Sequence, residues 1–120
     1  MAKILVLEDN TDLLEFICIL LERNKLEAKG CTSGNDMKLI LELFTPDLLI
    51  IDVMIKDKDG RDEDGRDLCK EFKKNNKNTP VILTSANPKV LVNYNVWKAD
   101  DIIEKPFTIQ HILSKIHKFI

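Results

Sequence analysis

Five polar residues stand where short apolar runs end: Glu8 and Asp9 after KILVL, Asp52 after LLII, Ser85 closing VILTS and Lys105 after DIIE. Brought to one place, these residue types have a definite chemistry. Three carboxylates repel one another unless a cation lies among them, and an all-oxygen set suits Mg²⁺ better than a softer metal. Magnesium keeps several waters and takes one or two carboxylates with other oxygens. Glu8, Asp9 and Asp52 with the Met54 carbonyl therefore form a candidate set, Glu8 acting directly or through water. Asp52 is the candidate nucleophile, because a carboxylate can attack phosphorus to give an acyl phosphate once charge on the transferring group is neutralised. Lys105 would supply a cation. Ser85 would supply a hydroxyl that donates to a phosphoryl oxygen, although Thr84 beside it carries the same group.

The elements that must position these residues follow from hydrophobic spacing. Lys3 to Leu7 is a continuous apolar run. After the acids, Leu13, Leu14, Phe16, Ile17, Leu20 and Leu21 recur at helical spacing. Leu26 to Thr32 reads as a second strand, and Ser33 caps a helix carrying Met37, Leu39, Ile40, Leu43 and Phe44, which Pro46 ends. Leu48 to Ile51 is apolar at every position, as a central parallel strand covered on both faces should be. A charged loop follows, then a helix over Leu68 to Lys74, a polar turn and a fourth buried strand over Val81 to Ser85. Val90, Leu91, Tyr94 and Trp97 fit a short fourth helix, Asp101 to Glu104 a fifth strand, and Thr108 caps a last helix with Phe107 and Ile112 as a hydrophobic staple. Strands alternating with helices predict a doubly wound parallel sheet in which ligands bind at the carboxyl ends of the strands. That rule gathers Glu8, Asp9, Asp52, Ser85 and Lys105 into one site. Each alone has an ordinary reading, as a helix-start acid, a strand-end residue, a loop hydroxyl or a solvated lysine.

Composition narrows the class. A chain of 120 residues, 44% apolar and 32% charged, predicts one compact domain over residues 1–120. A net charge of -2 gives no general basic field, so a protein partner is expected rather than direct contact with nucleic acid. Cys18, Cys31 and Cys69 form no CxxC pair and read as reduced, packed thiols. The acids at positions 8 and 9 leave no room for a signal-peptide apolar region, and no apolar run is long enough to span a bilayer. A cytoplasmic location is expected. The acids between Asp57 and Asp67 do not make an EF-hand loop, because Gly60 stands where its first ligand belongs. His111 and His117 share no helical face, and they read as surface residues.

The pieces KILVLEDN, PDLLIIDVM, PVILTSA and ADDIIEKPF, in this order and across essentially the whole chain, resemble the receiver domains of bacterial two-component response regulators. The resemblance implies a flavodoxin-like five-stranded sheet of order 2-1-3-4-5 with five flanking helices. It implies Mg²⁺ binding by Glu8 and Asp9, phosphorylation of Asp52, a switch hydroxyl at Ser85 and phosphoryl contact by Lys105. It also implies a cis bond between Lys105 and Pro106. The expected partners are a sensor histidine kinase or histidine phosphotransfer protein and a downstream protein target or linked output domain. Such a chain is a switch rather than an enzyme, catalysing only its own aspartyl phosphorylation and dephosphorylation.

Four departures from the family pattern bear on regulation. Lys56 stands where proline is usual, and DGRD occurs twice between Asp59 and Asp67, as if a loop had been lengthened. Ile102 replaces the frequent Tyr or Phe of the last strand, and Lys98 a frequent glycine. These departures keep open a second expectation, an interaction module that works without phosphorylation. A metal-dependent phosphatase of similar topology needs a second acid two residues after the nucleophile, where this chain has Met54.

Overall fold

A computed structural model describes all 120 residues. The elements run β1 (Lys3–Leu7), α1 (Thr11–Arg23), β2 (Glu27–Cys31), α2 (Gly34–Leu41), β3 (Leu48–Asp52), β4 (Met54–Lys56), β5 (Asp62–Asp64), α3 (Gly65–Asn75), β6 (Val81–Ser85), β7 (Asp101–Glu104) and α4 (Ile109–His117). The main sheet is all parallel in the order β2-β1-β3-β6-β7. With β6 and β7 as the expected fourth and fifth strands, this is the doubly wound order anticipated from the sequence.

Both faces of the sheet are covered, which is why β3 and β6 have no exposed position. On one face Leu5, Leu49, Ile51 and Leu83 pack against Met37 of α2 and Leu68, Cys69 and Phe72 of α3. On the other, Ile4, Val6, Ile50, Ile82 and Ile103 pack against Ile17, Leu20 and Leu21 of α1 and Ile112 and Ile116 of α4. Each such side chain contributes about 2 kcal/mol by leaving water. Side-chain caps set the helix starts: Asn10 accepts from Leu13 N, Ser33 from Asp36 N, Asp64 from Arg66 N and Thr108 from His111 N. Asp101, at the start of β7, bonds Lys115 of α4 and Lys118 just beyond it, each at 2.8 Å.

Three expectations need correction. The helix count is four, because Pro88–Val90 and Tyr94–Trp97 form single 3-10 turns instead of a fourth α-helix. Asn93 and Lys98 take left-handed conformations, with φ of 58° and 68°, and these break the helical path on either side of the second turn. Second, the charged loop after Asp52 contains an antiparallel hairpin, β4 paired with β5 in the register Met54 to Asp64, Ile55 to Glu63 and Lys56 to Asp62. Its turn is held by Asp57, whose Oδ1 accepts from Asp59 N and Arg61 N at 2.8 and 2.9 Å, and Gly60 supplies the positive φ of 77° that the turn requires. The third helix also begins earlier than the apolar spacing suggests, at Gly65.

Candidate functional site

At the carboxyl edge of the sheet, the chain leaves β1 through Glu8 and Asp9 and enters α1 at its cap Asn10, so both acids are held between two fixed points. Glu8 N donates to Cys31 O at 3.0 Å, and Glu8 Oε2 accepts from Asn10 N at 3.1 Å. Asp52 is the last residue of β3, and the following Val53 N donates to Thr84 O of β6 at 2.9 Å. Lys105 follows β7 and is joined to Pro106 by a cis peptide bond.

These residues meet. One ligand oxygen from each of Glu8, Asp9 and Asp52 lies within 4.8 Å of the others. Glu8 and Asp52 are 2% and 5% exposed, so their charges are poorly solvated, whereas Asp9 is half-buried. Lys105 Nζ answers the buried pair, bonding Glu8 and lying 3.0 Å from Asp52 Oδ2. Burial pushes the Glu8 carboxyl above its ordinary pKa despite the lowering influence of Lys105, and the neighbouring Asp52 pushes the same way. Burial alone would lower the pKa of Lys105, but its bonds to Glu8 and Asp52 outweigh this and raise it. The lysine is thus a fixed cation at neutral pH.

One ammonium among three acids leaves the cluster net negative. Its donors are all oxygen, the set a hard cation such as Mg²⁺ takes, with no imidazole or thiolate to favour zinc. The residues therefore fit the metal expected from the sequence. The N–H groups of Met54 and Lys56 also reach the site: Met54 N is 3.3 Å from Asp52 Oδ1 and Lys56 N is 3.0 Å from Asp9 Oδ2. In a strand, a residue's C=O points the same way as its N–H, which directs the Met54 carbonyl to this edge.

Ser85 is buried, and its Oγ accepts from Asn87 N at 3.1 Å. The register places Thr84 opposite Asp52 and Ser85 one step beyond. Ser85 O accepts from Lys105 N at 2.9 Å, so serine and lysine are joined through the backbone. Sequence reasoning missed the amide donors of β4, which have no residue-type signature. The histidines are exposed, and Tyr94 and Trp97 are half-buried. Cys31 and Cys69 are buried with pKa values pushed up to about 12 by desolvation, so they are protonated thiols. A depression of about 510 Å³ lined by Lys70, Lys73, Lys74, Lys77, Lys98 and Asp100 lies at the opposite end of the strands, away from the acids. No helix is long and apolar enough to cross a membrane.

Comparison with known proteins agrees with this fold. The heme response regulator HssR of Staphylococcus epidermidis is 28% identical over 118 residues, covering 97% of this chain and 50% of HssR. The response regulator ArlR of Staphylococcus saprophyticus is 29% identical over 122 residues, covering 100% of this chain and 53% of ArlR. The chain thus spans about half the length of these curated relatives. Among solved structures, the receiver domain of Francisella response regulator 1452 superposes with a TM-score of 0.85 at 26% identity, covering 99% of this chain and 96% of that one. The model of the response regulator receiver domain matches residues 4–117, a span that takes in every member of the acid and lysine cluster, and the chain belongs to that family.

Proposed function

We propose that residues 1–120 form one phosphorylation-activated switch in which Asp52 accepts a phosphoryl group from a histidine kinase or histidine phosphotransfer partner in a Mg²⁺-dependent reaction. The observation that carries this reading is the contact of Lys105 Nζ with both Glu8 and Asp52 inside a cluster of three carboxylates. An Asp52 oxygen attacks phosphorus as the bond from phosphorus to the donor histidine nitrogen breaks, and the nitrogen leaves with the electron pair. When bound by Glu8, Asp9, Asp52 and the Met54 carbonyl, Mg²⁺ supplies positive charge that offsets the phosphoryl oxygens. Lys105 holds Asp52 in place and offers its ammonium to the transferred group. Ser85 has a hydroxyl hydrogen free to donate to a phosphoryl oxygen. Its movement would be transmitted to Lys105 and the end of β7 through the backbone bond between the two residues. The domain acts in the cytoplasm on a protein target or a linked output domain and catalyses no reaction beyond its own phosphorylation and dephosphorylation.

Intact-mass analysis after incubation with acetyl phosphate or phosphoramidate tests this. A single phosphate adduct is expected on the wild type with Mg²⁺, and none without Mg²⁺ or on Asp52→Asn. Full labelling of Asp52→Asn would remove Asp52 from its role. A second reading, an interaction module that works without phosphorylation, is favoured by Ile102, a half-buried aliphatic residue with no ring to reorient. Equal partner affinity with and without the phosphoryl group would support it over the first.

A further inference from the structure

The hairpin β4–β5 presents an unusual edge to the acids. Its ladder runs through the odd-numbered residues of β4 and its flanks: Gly65 N donates to Val53 O and Asp57 N to Arg61 O, both at 2.8 Å, on either side of the pair Ile55 and Glu63. In an antiparallel pair alternate residues turn their N–H groups away from the partner strand. Those of Met54 and Lys56 would be left to solvent on an ordinary hairpin. Here they end on Asp52 Oδ1 and Asp9 Oδ2.

The two donors are not equivalent. Asp52 and Glu8 are already oriented by Lys105, whereas Asp9 is half-buried, forms no ion pair and takes its hydrogen bond from Lys56 N at 3.0 Å. The hairpin that carries this donor is itself braced. Glu63 Oε1 accepts from Gly34 N at the start of α2 at 2.9 Å, and Lys58 Nζ lies 3.2 Å from Asp36 Oδ1. The Lys56 ammonium pairs with Asp62 across the strands.

We infer that the main-chain N–H of Lys56 is a positioning group for Asp9: it engages one carboxylate oxygen and leaves the other for a cation, so that the hairpin is part of the metal site and sets its affinity. The inference rests on the proposed Mg²⁺ site. It assigns the lengthened loop a role in ligand geometry, exerted through the backbone rather than through the charge of Lys56. A hydrogen bond that orients a metal ligand typically changes affinity by about 10-fold or more.

Two substitutions separate backbone from side chain. Lys56→Pro deletes the N–H, and because that group does not serve the ladder, proline is compatible with this strand edge. Lys56→Ala keeps the N–H and removes the ammonium. In calorimetric titration of the whole chain with MgCl₂, Lys56→Pro should bind about 10-fold more weakly. Lys56→Ala should stay within about 2-fold of wild type, since an exposed pair contributes little. Equal affinity in wild type and Lys56→Pro overturns the inference, as does weakening confined to Lys56→Ala. A measurement on the unaltered protein guards against misfolding of the proline variant. In ¹H–¹⁵N spectra the Lys56 amide should exchange slowly with solvent and shift on addition of MgCl₂, and a fast-exchanging, unshifted Lys56 amide overturns the inference. Failure of the wild type to bind Mg²⁺ removes the proposed site along with it, whereas normal wild-type binding unaffected by Lys56→Pro removes the positioning role alone.

Discussion

Gly65 approaches Asp52 so closely that a Cβ at position 65 would stand 2.2 Å from the Asp52 carbonyl oxygen and 2.7 Å from Ile51 Cγ2. The neighbours are backbone and a fully buried side chain, which cannot swing aside. Gly65→Ala should therefore push β3 and the start of α3 apart and destabilise the fold by about 2 kcal/mol. Urea unfolding should show it. An unchanged midpoint would mean that the strand end and helix start yield more easily than their packing implies.

Lys105 stands between two buried acids, and its loss would leave Glu8 and Asp52 facing each other without a counter-charge. Lys105→Met should lower stability by roughly 3 kcal/mol at neutral pH, since removing one partner of a buried ion pair leaves the other uncompensated. It should also abolish the phosphate adduct. Chemical denaturation and intact-mass analysis check the two effects on one sample. Wild-type stability would show that the acids do not depend on this ammonium.

The bonds that fasten the last helix to β7 predict an acid limit. Burial alone would raise the pKa of Asp101, but hydrogen bonds from Lys115 and Lys118 outweigh it and hold the carboxyl below its ordinary value of 3.8. A carboxyl depressed in the folded state contributes stability above its unfolded pKa and loses it as pH falls through the folded value. The stability gap between wild type and Asp101→Asn should be full at neutral pH, begin to close near pH 4 and vanish at still lower pH. Urea midpoints measured across that range decide it, and a gap independent of pH would contradict the assignment.

Arg66 joins the hairpin to the 3-10 segment. Its guanidinium bonds both carboxylate oxygens of Asp64 and lies 5.0 Å from the centre of the Trp97 ring. Arg66→Ala should cost about 1 kcal/mol and change the emission of Trp97, the only tryptophan in the chain. Unaltered emission would mean that the ring does not depend on the cation above it.

The strands around the site are legible because both faces of the sheet are covered, so KILVL, LLII and VILTS are almost wholly apolar and their polar ends stand out. The acids and Lys105 are legible because side chains carry their chemistry. The hairpin is not legible, since its strands MIK and DED are three residues each, too short to show an alternation, and are held by Asp57 and main-chain bonds. Repeated sequence also misleads. One DGRD copy makes the turn at Gly60, while the other gives α3 its cap Asp64 and places Gly65 against β3. In the segment from Pro88 to Trp97, apolar spacing suggests a helix that the left-handed Asn93 and Lys98 interrupt.

The sheet order has a consequence for how molecules of this protein meet in a crowded solution. The segments LLIID and VILTS combine β-propensity, low charge and freedom from proline, the composition that templates fibrils when it lies on an open edge. Both are interior strands, paired on each side by another strand of the same chain. The open edges belong to β2, whose Glu27 and Lys29 carry charge and whose Gly30 is exposed, and to β7, only four residues long with an acid at each end. Short, charged edges discourage strand addition from a neighbour, so the same order that builds the acidic site also keeps the most aggregation-prone stretches out of reach.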